Sequence, residues 1–183
     1  MLNKLAKATL LALPLLLAAC SSNPAKDEGN YATISSNQFI EANYKAADSL
    51  MHQISGKLLA DKPIIMATIV NIDALEQTST LGRLVSEQVS TRLAQGGLNM
   101  LEMKLRNSVY LKRNTGELML TREIGEVAQA HNAQAIVVGS YAETSDMVFI
   151  NLKVIQPNTN TVLAGQDYVL AKEAIVRSML QRN

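Results

Sequence analysis

The sequence predicts an α/β (α+β) domain. Its sheet is mixed, with parallel strands joined by helical crossovers, finished by an antiparallel meander, and with helices packed on it. Three observations predict this. The runs Ile64–Val70 and Ala135–Tyr141 are nearly all apolar, the pattern of strands buried on both faces. Helix-period segments stand between strands, and a strand–helix–strand order implies a right-handed parallel crossover. The last third alternates apolar and polar residues about a short turn, as antiparallel neighbours do.

Taken in order, the chain opens with an export signal. Lys4 and Lys7 form a basic start, and Ala8 to Ala19 form an apolar run broken by Pro14. The run is too short for a spanning helix, which needs roughly 20 residues. Leu17-Ala18-Ala19-Cys20 closes it, with small residues at the cut. This is the pattern of lipoprotein processing, in which the cysteine thiol takes a diacylglycerol and the new amine is acylated. Cys20 is therefore the predicted lipidation site. Three acyl chains exceed what stable anchoring needs, at ~0.8 kcal/mol per buried CH₂. Ser21, rather than Asp, follows the cysteine. By the convention of lipoprotein sorting this favours the outer membrane.

The predicted organisation is residues 1–19 as signal peptide, 20–36 as lipidated flexible tether, and 37–183 as a single domain. The tether, Ser-Ser-Asn-Pro-Ala-Lys-Asp-Glu-Gly-Asn onward, is too polar to pack. Asn37–Ala60 is predicted helical, with a stripe of Ile40, Tyr44, Ala47, Met51, Ile54 and Leu58, capped by Ser36 or Asn37 and ended by Pro63. The strand Ile64–Val70 follows. A second helix runs from Leu81 to Gln95, capped by Thr78, Ser79 or Thr80. Its apolar face is Leu81, Leu84, Val85, Gln88/Val89 and Leu93, and Gly96-Gly97 stops it.

Leu98–Met103 is the next predicted strand. Lys104–Met119 is less regular, with a turn at Asn114-Thr115-Gly116. Thr121 caps a third helix reaching about His131, with Ile124, Val127 and Ala128 inward. Ala135–Tyr141 is a third strand. Met147–Ile155 alternates, placing Val148, Ile150, Leu152 and Val154 on one face and Phe149, Asn151 and Lys153 on the other. Gln156–Asn160 turns the chain into Thr161–Leu170, a strand broken by Gly165. A short helix, Lys172–Gln181, ends the domain.

Composition excludes several classes of function. Removal of 19 of the 183 residues leaves 164, enough for one domain with its own core. The net charge of +1 less Lys4 and Lys7 becomes −1, so no basic footprint for nucleic acid exists. The one cysteine is the lipid acceptor, which leaves neither a disulfide nor a thiolate. Five Tyr, two Phe and no Trp make a stacking platform for sugars or bases implausible.

No catalytic, cofactor-binding or metal-binding residue is predicted. His52 and His131 lack metal-ligand spacing and read as surface histidines. Asp73 and Glu76 follow the first strand, where carboxylates in α/β folds often act. No nucleophile or phosphate loop accompanies them, so they read as a solvated loop. The turn into the second helix has no glycine-rich loop for a nucleotide. Gly82 sits in the first turn of that helix at up to ~1 kcal/mol relative to Ala. Close approach of a neighbouring backbone is favoured there over anion binding by Ser79 and Thr80.

Ser79-Thr80-Leu81-Gly82-Arg83 with Glu87-Gln88 resembles the core signature of the FlgO family, outer-membrane lipoproteins of polar flagella. So do Gly116 with Leu120-Thr121-Arg122, Gly139-Ser140-Tyr141, and Val148 through Ile155. The resemblance spans about Ile64–Leu170. Ser140 stands where the family pattern leads one to expect Thr. The resemblance also implies a wider periplasmic α/β fold, shared with the N-terminal domain of TolB, the curli secretion lipoprotein and lipoprotein activators of peptidoglycan synthases.

What it implies is a lipid-anchored, outer-membrane protein with a non-catalytic periplasmic or surface domain. Its role would be structural, at the flagellar basal region. Its partners would be the membrane, through the lipid, and envelope proteins, flagellar basal-body rings among them; homo-oligomer formation is left open. The alternative is an envelope binding module, such as a peptidoglycan-synthase regulator or a secretion-complex component. The short tether argues against a regulator that must reach through the cell wall.

Overall fold

In the computed structural model, the described residues are 38–75, 77–101 and 125–181. They form six strands and four helices: α1 (Gln38–Ile54), β1 (Ile64–Met66), β2 (Val70–Asn71), α2 (Thr80–Gln95), β3 (Met100–Leu101), α3 (residues 125–130), β4 (Ala135–Glu143), β5 (Met147–Gln156), β6 (Thr161–Ala171) and α4 (Ala174–Leu180). The sheet order is β3-β1-β4-β5-β6, with β2 also beside β4. β3, β1 and β4 are parallel, and β4, β5 and β6 form the antiparallel meander. The mixed α/β architecture matches the sequence reading.

Side-chain alternation puts two cores on the two faces of the sheet. Ile64, Ala135, Val137, Tyr141, Val148, Ile150, Leu152 and Val154 face one side. There they pack with Leu50 of α1, Leu81, Val85, Val89 and Leu93 of α2, and Val176 of α4. Complete burial of each such aliphatic side chain contributes about 1.5–3 kcal/mol. Ile65 and Ile136 point the other way, to a smaller core with Ala128 of α3 and Ala133. Central burial on both faces explains the unbroken apolar runs. Ser35–Asn183 is a compact unit in its own right.

Several elements differ from expectation. α1 ends at Ile54, not Ala60, and Gly56 takes a left-handed φ of 74° just beyond it. Its buried stripe is Phe39, Asn43, Ala46, Ala47, Leu50 and Ile54, rotated from the predicted one. A polar Asn at the centre of the true stripe shifts the apparent apolar periodicity by one position. β6 is not broken at Gly165, which pairs with Lys153; the irregularity lies opposite Val154 and Ile155. α4 occupies Ala174–Leu180, a shorter stretch than predicted.

The run Ile64–Val70 is two short strands, not one. Ala67 N–H still donates to Val137 C=O at 2.8 Å. Ile69 then leaves the ladder. Its N–H donates to Ser86 Oγ at 2.9 Å, and its C=O accepts from Thr78 Oγ1 at 2.7 Å. Both backbone groups of a fully buried residue are thus satisfied by α2 and the turn that leads into it. Ser79 is the cap of α2, its hydroxyl accepting from Gly82 N–H at 3.2 Å. Gly96 ends the helix, and Gly97 follows at a φ of 88°.

The predicted signal peptide, Cys20, the tether, the Ser36/Asn37 cap, the Lys104–Met119 stretch with its turn, and the Thr121 cap lie outside the described residues.

Candidate functional site: the open face of the meander

The sheet is covered unequally. Among the described residues, α1, α2 and α4 pack on one face, and α3 packs on the other at the β1/β4 end. Toward β5 and β6 that second face carries exposed apolar side chains. Phe149 and Val169 are directly paired across the strands and are 50% and 46% exposed. Ala142 stands opposite Phe149 on β4. Ile72, just past β2, is 53% exposed and lines the same depression.

The next row down the sheet is polar: Ser140, Asn151 and Asp167, in register across β4, β5 and β6. Asn151 Nδ2 donates to Asp167 Oδ1 at 2.6 Å. Below it Lys153 is exposed. Two depressions of about 390 and 400 Å³ adjoin here and share Ile72, Ser140 and Asn151. Gly139 allows β4 and β5 to lie this close, because a Cβ there would fall 2.7 Å from the Asn151 carbonyl oxygen. The face therefore offers an aromatic and aliphatic strip beside hydrogen-bonding and charged groups, the chemistry of a protein-binding surface. Alternation in the sequence places Phe149, Asn151 and Lys153 on one face; it does not show that Phe149 is half exposed there.

A second cluster, unforeseen from the sequence, is structural. Asn43 is fully buried in α1. Its Nδ2 donates to Gln88 Oε1 at 2.6 Å, and its Oδ1 accepts from the Tyr168 hydroxyl at 2.5 Å. The cluster ties α1, α2 and β6 together. Burial raises the Tyr168 pKa well above its ordinary value of 10.0. The signal available in the sequence was Asn43 itself, a polar residue at a helical step between Phe39 and Leu50.

The residues singled out from sequence do not converge. His52 and His131 are exposed, on α1 and after α3. Asp73 is exposed in the loop after β2, and Glu76 lies outside the described residues. Among the described residues, no three His, Cys, Asp or Glu side chains come together to hold a metal ion. No described helix is long and apolar enough to cross a membrane. Gly82 takes the close-packing role. A Cβ there would fall 2.4 Å from the Ile69 carbonyl oxygen and 2.6 Å from Thr78 Oγ1.

Residues 44–175, well over half of the chain, match the family described as FlgO protein. This chain belongs to the FlgO family. The match takes in α1 from Tyr44 onward, the capped start of α2, the Gly139-Ser140-Tyr141 stretch and the whole meander. No curated protein matches by sequence. Among solved structures, the LpoB C-terminal domain from Salmonella enterica superposes with a TM-score of 0.54 at 9% identity, covering 72% of this chain and 97% of that one. The LpoB C-terminal domain from Escherichia coli gives 0.53 at 8%, with the same coverage. At these identities the likeness is one of fold. The FlgO-family domain here thus shares the fold of the LpoB C-terminal domains.

Proposed function

We infer that this FlgO-family chain is a lipid-anchored, non-catalytic protein of the outer membrane, whose domain holds a protein partner in the flagellar basal region. The observation that carries the reading is the family match over residues 44–175. Two features support it. Leu17-Ala18-Ala19-Cys20 supplies an acyl acceptor for a membrane anchor. The Phe149–Val169 strip, with Asn151, Asp167 and Lys153 beside it, supplies a face suited to a protein. The domain faces the periplasm or the cell surface in this reading.

The second reading is an envelope binding module, acting on a peptidoglycan synthase or in a secretion complex. The fold shared with the LpoB C-terminal domains favours it. The two readings diverge in one experiment. The gene is deleted in its host, then restored as wild type, Cys20→Ala or Phe149→Glu, and swimming, flagellation and membrane fractionation are scored. The flagellar reading requires deletion to impair swimming, Cys20→Ala to leave the outer-membrane fraction, and Phe149→Glu to stay there without restoring motility. Normal swimming after deletion in a flagellated host removes the flagellar reading. Outer-membrane retention of the Cys20→Ala protein removes the lipid anchor.

A further inference from the structure

β6 ends the sheet among the described residues, and side chains occupy part of its outer edge. Gln53, in the last turn of α1, meets Gly165 twice: Nε2 donates to its C=O at 2.9 Å, and Oε1 accepts its N–H at 3.1 Å. Lys57, in the turn after α1, donates through Nζ to Leu163 C=O at 2.9 Å. Gln166 Nε2 donates to Asp167 C=O at 2.8 Å. Ser49 of α1 joins the set. Its Oγ accepts from Gln53 Nε2 at 3.3 Å and donates to Gln166 Oε1 at 2.5 Å.

The Gln53 carboxamide carries the same donor and acceptor as a peptide unit. Its two bonds to one residue reproduce what a neighbouring strand residue exchanges in a hydrogen-bonded antiparallel pair. The edge is bent as well. Val154 and Ile155 pair with Ala164 and Val162, so Leu163 is an extra residue on β6. A bulge, a lysine and a covering helix each keep a sheet edge from pairing with another chain. All three converge on Leu163–Asp167. Stability alone does not account for them. Gly165 and Asp167 are exposed, so water would satisfy their backbone groups. Holding glutamine and lysine side chains in one rotamer also costs conformational entropy. A hydrated edge stays free to pair with a strand, whereas an edge bonded to side chains does not.

We propose that Gln53 and Lys57 form an autoinhibitory contact that closes the β6 edge against strand pairing between copies of the chain. The Gln53 amide stands where an incoming strand would lie, and Gly165 is the backbone position it denies. An incoming strand must break both Gln53 bonds and the Lys57 bond before its ladder can form across Leu163–Gly165. Ile54, buried in the core next to Gln53 in sequence, anchors the last turn of α1 and so holds the guard in place.

The test uses the chain from Ser21 to Asn183, which contains the whole compact unit. Sedimentation is followed from about 1 to about 100 µM, a range that brackets micromolar association. Three chains are compared with wild type. Gln53→Ala with Lys57→Ala opens the edge. Adding Gly165→Pro to that pair removes only an outward N–H, a position at which an edge strand tolerates proline. Ser86→Ala lowers stability and leaves the edge contacts intact, which separates edge pairing from aggregation through unfolding. The opened chain associates at least about tenfold more tightly than wild type. Its Gly165 amide exchanges freely when dilute and becomes protected as concentration rises, whereas the wild-type amide is protected at every concentration. Gly165→Pro returns association to the wild-type level, and Ser86→Ala never leaves it. Should the Gly165→Pro chain fail to fold, the concentration dependence of Gly165 exchange in the opened chain decides alone. An opened chain that sediments as wild type does overturns the proposal. So does association that a folded Gly165→Pro chain retains, association of Ser86→Ala to the same extent, or Gly165 exchange in the opened chain that is independent of concentration.

Discussion

Ser86 and Ile69, 17 residues apart, join α2 to the sheet through one buried hydrogen bond, Ile69 N–H to Ser86 Oγ at 2.9 Å. The same hydroxyl donates to Gly82 C=O at 2.8 Å. Ser86 is 7% exposed and Ile69 fully buried, so water does not compensate a lost partner. Ser86→Ala leaves the Ile69 N–H without an acceptor. That costs about 1–3 kcal/mol, read as a lower urea midpoint at unchanged slope. A midpoint equal to wild type shows the bond to be dispensable.

Gly82 makes the opposite case to helix propensity. Alanine at an interior helical site stabilises by up to about 1 kcal/mol relative to glycine. Here the added Cβ would fall 2.4 Å from the Ile69 carbonyl oxygen, a backbone atom that cannot swing away. Overpacking of this kind costs about 1–3 kcal/mol, so Gly82→Ala is expected to destabilise. At about 2–4 °C per kcal/mol for a domain of this size, thermal melting resolves the sign. A raised melting temperature would show that α2 can draw back from Ile69. With Ser86→Ala, which acts on the same residue, the two effects should not add.

These two residues also show what the sequence discloses and what it hides. The meander was legible because Val148, Ile150, Leu152 and Val154 alternate strictly and are all buried. α2 was legible because Leu81, Val85, Val89 and Leu93 keep helical spacing and Ser79 caps it. The break at Ala67–Ile69 was not. Its cause is a pair of side-chain partners, Ser86 and Thr78, that local β-propensity does not register. The rotated face of α1 was hidden for a similar reason, since Asn43 is buried by virtue of Gln88 and Tyr168, far away in sequence. Phe149 was placed on the correct face. Its exposure depends on which helices cover the sheet, a property of the whole assembly.

Tyr168 supplies a pH test. Burial holds its phenolic proton more tightly in the folded chain, so the folded pKa lies above the unfolded value near 10. The unfolded chain then loses this proton first, and stability declines as pH rises beyond about 10. Tyr168→Phe loses the hydrogen bond to Asn43 Oδ1, at about 1–2 kcal/mol near neutrality. It also loses the alkaline slope that this phenol contributes. The stability gap between wild type and variant should therefore narrow above pH 10, measured by urea unfolding across that range. A gap that is constant or widens with pH contradicts the buried phenol.

The alternation of β5 separates folding from function in neighbouring residues. Leu152 is fully buried and contacts the main core, so Leu152→Ala should cost about 2–5 kcal/mol. Phe149 faces outward and is 50% exposed, so Phe149→Glu should change stability by less than about 1 kcal/mol. If the open face holds a partner, the effect on activity reverses that order. Phe149→Glu should fail to complement a deletion while fully folded and normally localised. A mild core variant such as Ile150→Val, at about 0.5–1.5 kcal/mol, should complement despite its lower melting temperature. Function that instead tracks melting temperature across all three variants would move the binding surface away from the open face. In that event the helical side, where α1 and α2 are clamped by the Arg92 guanidinium on Asp48 at 2.7 Å, is the next surface to test.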